Sequence, residues 1–223
     1  MAHDIIPKRS AAELAEDAML VQTAGAATIP ITAPDDDMVA GLLARAFYTD
    51  PMLIYFAPDE PSRVRRSQPF FAASIRYCRR YGIAEMTTTR DAAALWIKPG
   101  FTTMKMSRML RTGVVPAALK LGFSGLSRMN NLVSCTEKLH KQAISGDHWY
   151  LLTIGVEPGQ QRAGVGGRLL SAGLQRVDAE GLPCYLETVN PDNLPFYRRL
   201  GFEVAADGQE PKDGLHVWAM VRR

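Results

Sequence analysis

Trp149-Tyr-Leu-Leu-Thr-Ile-Gly-Val-Glu-Pro-Gly-Gln-Gln-Arg-Ala-Gly-Val-Gly-Gly167 is the stretch whose reading decides the fold. Residues 149–156 form a nearly unbroken apolar run, the pattern of a strand covered on both faces, and Glu157-Pro158-Gly159 punctuates it. After the glycines, Leu169, Leu170, Leu174 and Val177 recur on one helical face, which Gly181 and Pro183 end. Cys184–Val189 then reads as a second strand. Strand, glycine turn, helix and strand in that order make a βαβ unit, which favours a parallel pair joined by a right-handed crossover.

Downstream, Asn193–Leu200 reads as a short helix ended by Gly201, and Phe202–Val204 and Leu215–Val221 as two further strands. Upstream, Thr28–Ile31 is strand-like, and Thr32-Ala-Pro-Asp35 is a capping-box start for a helix that carries Val39, Leu42, Leu43, Ala46 and Phe47 until Asp50-Pro51 stops it. A helix over 62–81 buries Val64, Phe71, Ile75 and Cys78, with Gly82 as its stop, and strands 83–89 and 92–97 follow. Residues 101–145 read as helix in pieces, broken by Gly113, Pro116 and the stretch from Gly122 to Gly125. Ser10-Ala-Ala-Glu13 opens a short Ala-rich helix, so residues 1–26 are expected to be an appendage and 27–223 one domain.

A chain of 223 residues, 47% hydrophobic and 22% charged, has the composition of a globular domain with one continuous core. The net charge of +3 lacks a basic tail and is partly balanced by Asp35-Asp36-Asp37, so no nucleic-acid partner is expected. Cys78, Cys135 and Cys184 lie far apart with no CxxC pair, which argues against a metal site or a disulfide framework and for a reducing cytoplasm. No apolar run approaches the roughly 20 residues of a membrane span. The basic cluster Arg63, Arg65, Arg66, Arg76, Arg79 and Arg80 reads as the solvated face of its helix, and Met104, Met106 and Met109 as core filling.

Glycines between a buried strand and a helix leave backbone N–H groups open to an anion, and the helix dipole adds to the attraction. A dinucleotide-binding GxGxxG beginning at Gly164 would need glycine or alanine where Leu169 stands. The P-loop spacing from Gly159 to Gly164 continues as Val165-Gly166 where lysine and serine or threonine are required.

Gln161-Arg-Ala-Gly164-Val-Gly166 after this strand, then Leu186-Glu187-Thr188, Asn190, Asn193 and Phe196-Tyr197-Arg-Arg-Leu-Gly201-Phe202, resembles the GNAT superfamily of N-acetyltransferases. Trp149, Leu151, Thr153, Gly155-Val156, Pro158 and Asn193-Leu-Pro-Phe-Tyr197 are similar to the puromycin N-acetyltransferase group within it, a likeness that does not carry the substrate with it.

The resemblance implies an α/β (α+β) fold: a central mixed, twisted sheet of six to seven strands with helices on both faces and a splayed parallel pair, 149–156 and 184–189. It implies acetyl-CoA as co-substrate and no metal. Ile154, Gly155 and Val156 would meet the pantetheine and thioester, Gln161, Arg162, Ala163, Gly164, Val165, Gly166 and Gly167 the pyrophosphate, and Asn190 and Asn193 the cofactor from the far side. Tyr197 matches the family's acid for the departing thiolate. For the base, Glu187 is the first choice, though a strand carboxylate paired with an arginine is an equal reading, and His148 is the second. The expected activity is acetyl transfer to the primary amine of a small molecule by direct attack in a ternary complex. The alternatives are acetylation of a protein N-terminus or lysine, or a catalytically silent acyl-CoA-binding module. A monomer or homodimer without a membrane partner is expected.

Overall fold

The structure, a computed structural model, describes residues 27–212 and 214–223. The capping box at Ser10 and the proposed N-terminal appendage lie outside the described residues. Seven strands form one sheet in the order β1-β2-β3-β4-β5-β7-β6, where β1 is Thr28–Pro30, β2 Gly82–Thr87, β3 Ala92–Ile97, β4 Trp149–Val156, β5 Cys184–Thr188, β6 Glu203–Gln209 and β7 His216–Arg222. Every neighbouring pair is antiparallel except β4 and β5, which are parallel, so the mixed sheet and its parallel pair stand as the sequence implies.

Alternation along the central strands divides the core between two faces. Ala93, Leu95 and Ile97 of β3 point to one side, with Tyr150 and Tyr185, against α1 (Asp36–Ala46), α3 (Arg63–Tyr81) and α5 (Val114–Ala143). Ala92, Ala94 and Trp96 point to the other, with Trp149, Leu151 and Leu186, against Leu169, Leu170 and Leu174 of α6 (Val165–Ala179) and against α7 (Leu194–Arg199). That double covering is why 149–156 is apolar at nearly every position. Helix α6 lies closest to the sheet at Gly173, where a Cβ would stand 2.1 Å from Trp96 Cζ2. The Trp96 indole donates to buried Glu85 at 2.8 Å, and Arg176 of α6 holds the same carboxylate at 2.9 Å.

The start of α1 follows the expected chemistry: the Thr32 amide donates to the Asp35 carboxylate at 2.9 Å. Asp50-Pro51, read from sequence as a stop, is also a start. The Asp50 carboxylate accepts from Met52 N at 2.9 Å and Pro51 opens α2, Pro51–Phe56. Strand β2 ends at Thr87, earlier than expected, because Thr87 Oγ1 turns to Asp91 at 2.6 Å and Arg90 takes a φ of 59°. Strand β6 extends to Gln209, beyond the expected 204. Its alternating exposure puts one row of side chains in water, and the polar letters of that row hid the strand.

The long connection contains a short α4 (Met106–Leu110) and then α5, which begins after Gly113 and bends at Gly122 with φ 74° and ψ 174°. Pro116 falls in the first turn of α5, where its missing N–H costs nothing, so it does not break the helix. Four of the six clustered arginines depart from the solvated face read in the sequence, while Arg65 and Arg80 keep to it. Buried Arg63 donates to the carbonyls of Tyr48, Ala57 and Pro58, Arg66 to those of Lys120 and Leu121 at the bend, and Arg76 to that of Thr112, while Arg79 pairs with Asp36. Arg63 and Arg76 thus serve loop carbonyls, Arg66 the carbonyls at the bend of α5 and Arg79 a carboxylate. Among the described residues, no helix is long and apolar enough to cross a membrane.

Gly173→Ala forces either Trp96 or α6 to move. Urea denaturation is expected to show a loss of about 1–3 kcal/mol, whereas Gly159→Ala, whose added methyl meets open space, should change stability by less than about 0.5 kcal/mol.

Candidate functional site

The site begins where two strands part. β4 and β5 are in register only at Trp149–Cys184 and Tyr150–Tyr185. Beyond that, β4 stays with β3 as far as Val156 and β5 stays with β7 as far as Thr188. The β3–β4 register slips between Leu95 and Trp96 so that Leu152 is unmatched, a bulge that bends β4 away from β5. The later main-chain groups of β4 on that side therefore lack a partner strand. Gly155 admits α1 at this point: a Cβ there would stand 2.7 Å from Leu43 Cδ2.

At the end of β4, Gln161 Nε2 donates to Val156 O at 3.1 Å and closes the turn. Arg162 and Gly164 take left-handed φ values of 63° and 77°. Among the described residues, no amide from Arg162 to Gly167 has a main-chain partner; the first to find one is Arg168 N, which donates to Gly164 O at 3.1 Å. Nor does any described side chain cap α6. A curl of unpaired N–H groups at the positive end of a 15-residue helix is a cradle where an anion is favoured.

Turn, cleft and α7 enclose one cavity of about 420 Å³. Ile154, Gly155 and Val156 line it from β4, Gln161, Arg162, Gly164, Gly166 and Gly167 from the turn, and Asn190, Asn193 and Tyr197 from the opposite side. Ala163 is exposed on the turn and Val165 is buried beneath it, so neither side chain reaches the cavity and only their amides belong to the cradle. Asn190 spends its side-chain oxygen on Asp192 N at 3.0 Å, and Asn193 Nδ2 donates to Thr188 Oγ1 at 3.3 Å. Ala46, Phe47, Thr49 and Asp50 complete the wall; they belong to the stretch 45–60, which the sequence marks as facing the acceptor without fixing its position. The aspartate before a proline is a helix start as much as a stop.

Tyr197 is only 8% exposed, and its phenol pKa is pushed up by burial and then by the negative charge of Asp50. Asp50 is itself raised to about 6 by burial, against the Met52 amide that holds it down. Glu187 lies outside the cavity wall, on the α1, α3 and α5 side of the sheet. Tyr185 donates to one of its oxygens at 2.8 Å and Tyr150 to the other. Burial outweighs these bonds and raises Glu187 to about 7. No arginine pairs with it among the described residues, so the reading of Glu187 as an arginine-paired strand carboxylate is set aside.

His148 stands before the first residue of β4, about 20 Å by strand rise from Gly155. Its Nδ1 lies 2.7 Å from Gly146 O and its Nε2 2.8 Å from Nε2 of His140, which stacks on Tyr185 at 4.0 Å. Burial pushes His140 down to about 4 and lowers His148 as well; the two rings engage each other and Tyr185, and neither lines the cavity. The Cys78 and Cys184 thiols are buried and raised, the latter to about 12, as inert core thiols are.

The sequence profile of the Acetyltransferase (GNAT) family matches residues 119–202. An uncharacterised N-acetyltransferase of Schizosaccharomyces pombe is 26% identical over 183 residues, covering 77% of this chain and 72% of that protein. Among solved structures, a histone acetyltransferase HPA2-related acetyltransferase of Corynebacterium glutamicum superposes with a TM-score of 0.60 at 21% identity, over 89% of this chain and 96% of that one. The polyamine N-acetyltransferase of Drosophila melanogaster, which forms N-acetylagmatine, superposes with a TM-score of 0.58 at 17% identity, over 87% and 98%.

Gly164→Val places a branched side chain in a left-handed conformation that strains L-residues by about 1–2 kcal/mol. Calorimetric titration with CoA is expected to show affinity lower by on the order of tenfold. An unchanged affinity would remove this turn as the seat of the pyrophosphate.

Proposed function

We propose, from the premise that this chain belongs to the GNAT superfamily of acetyltransferases, that it transfers the acetyl group of acetyl-CoA to the primary amine of a small molecule by direct attack in a ternary complex. The observation that carries the reading is convergence. An anion cradle, an unpaired strand edge and the buried phenol of Tyr197 open into one cavity, which residues 46–50 wall off. A protein acceptor would call for a shallow open groove along residues 48–60 and 101–115, and a small acceptor for a pocket there; the walling of the cavity by Thr49 and Asp50 beside Ala46 and Phe47 supports the second.

In this reading the amides of Arg162–Gly167 hold the pyrophosphate, and the free edge of β4 at Ile154–Val156 aligns the pantetheine as a missing strand would. The Val156 amide faces the developing oxyanion. The acceptor nitrogen, once neutral, forms the C–N bond with the thioester carbonyl. The C–S bond breaks, and Tyr197 donates its proton to the sulfur. The raised pKa of the phenol keeps that proton in place until the thiolate forms. Glu187, reached through water from the cleft, takes the proton that the amine loses. Asn190 and Asn193 border the donor on its other side.

Tyr197→Phe should lower kcat by about 100-fold or more while CoA binding measured by calorimetry is retained; an unchanged rate would remove the acid role. Because Glu187 accepts a proton only when ionised, and its pKa is raised to about 7, kcat/KM should fall as pH drops below 7. Glu187→Gln should abolish that limb along with most of the activity; a pH profile identical to that of the native protein would rule Glu187 out.

A further inference from the structure

Asp50 lies in the cavity wall across from the anion cradle and is held in one orientation by its place at the start of α2. One carboxylate oxygen accepts from Met52 N at 2.9 Å. Among the described residues, the other receives no hydrogen bond, and no lysine, arginine or histidine pairs with the group. It is half-buried, and burial raises it only to about 6, so it remains ionised at neutral pH. Its charge is near enough to reach the Tyr197 phenol.

The helix cap does not explain that charge, because asparagine or serine caps as well as aspartate. An ionised carboxylate partly withdrawn from water without a counter-ion gains from a cation that joins it. The cavity's own arginines, Arg162 and Arg199, belong to the turn and to α7, and neither reaches Asp50.

We propose that Asp50 is the acceptor-recognition residue, its unpartnered oxygen receiving the ammonium of a primary alkylamine that is protonated in solution. This deepens the acetyl-transfer reading of the same cavity and rests on it. The class excluded is the arylamine, whose nitrogen is neutral at this pH and offers the carboxylate no charge.

The protons balance. The bound ammonium gives one proton through water to Glu187. The neutral nitrogen bonds to the acetyl carbon, the C–S bond breaks, and Tyr197 protonates the departing sulfur. The second nitrogen proton restores Tyr197.

Asp50→Asn keeps the cap and removes the charge. Calorimetry on CoA-saturated protein, using straight-chain and arylethyl amines each paired with its isosteric alcohol, is expected to show at least a tenfold preference for the amine in the native protein. The Asp50→Asn substitution should erase that preference by weakening the amine alone, with CoA affinity and melting temperature unchanged. In parallel, thiol release should show KM for the alkylamine rising at least tenfold with a smaller change in kcat. No amine preference in the native protein for any pair, or a preference that survives Asp50→Asn, would overturn the proposal. An Asp50-dependent preference without thiol release would support the recognition role and remove the acetyl-transfer reading, while thiol release without the preference would do the reverse.

Discussion

The structure depends on a hydrogen-bond ladder that is left unfinished. β4 and β5 share a register at only two residue pairs, and after Tyr150 and Tyr185 each strand keeps only its other neighbour. An interior strand edge without a partner is unfavourable when dry, because its N–H and C=O groups have exchanged water for nothing. The surrounding fold keeps the gap from closing. The bulge at Leu152 turns β4 aside, the β5–β7 ladder holds β5 through Thr188, and α1 fits against Gly155 where a side chain would not. The unpaired edge and the free amides at the head of α6 are both main-chain features, so side-chain identity matters less there than backbone shape.

This explains which parts of the molecule were legible in its sequence. β4, the glycine turn, α6 and β5 were read almost to the residue, because a strand buried on both faces and a helix packed on one leave unmistakable periodicities. Eleven of the cavity-lining residues were named through the resemblance to the GNAT superfamily rather than through periodicity: eight lie on β4, the turn and the start of α6, and Asn190, Asn193 and Tyr197 lie beyond β5. The placement of the wall at residues 46–50 was not legible. It comes from a helix end and a loop whose position across the sheet depends on α1 packing at Leu43 and Ala46, a long-range contact that no local pattern encodes. The same holds for the arginines of α3. A charged stripe on a helix looks solvated until the segments that supply its carbonyls are placed, and those lie as far away as Thr112 and Leu121.

The two carboxylates near the cleft show how placement separates chemically similar groups. Both are raised by burial, yet Glu187 has a phenol on each oxygen while Asp50 has one backbone amide and an oxygen to spare. The first is a group whose geometry is complete without a ligand. The second is complete only with one. Charge alone does not assign them; the count of satisfied lone pairs does.

The bend at Gly122 divides α5 into halves of unequal anchorage. After the bend, Arg128 reaches Tyr55 O, Leu139 lies against Gly208 and His140 stacks on Tyr185, so that half is bound into the sheet and α2. Before it, the helix leans on α3 through Arg66 and exposes Val115 and Leu119 to water, and Phe123 is exposed just past the joint. That segment has one fixed face and one free face: Thr112, Ala117 and Leu121 are buried, Met109 packs on the core, and Arg66 and Arg76 hold its carbonyls. For anyone grafting a new surface or sensor onto this scaffold, the exposed positions Met106, Leu110, Val115, Leu119 and Phe123 are where side chains can change while that buried face stays as it is.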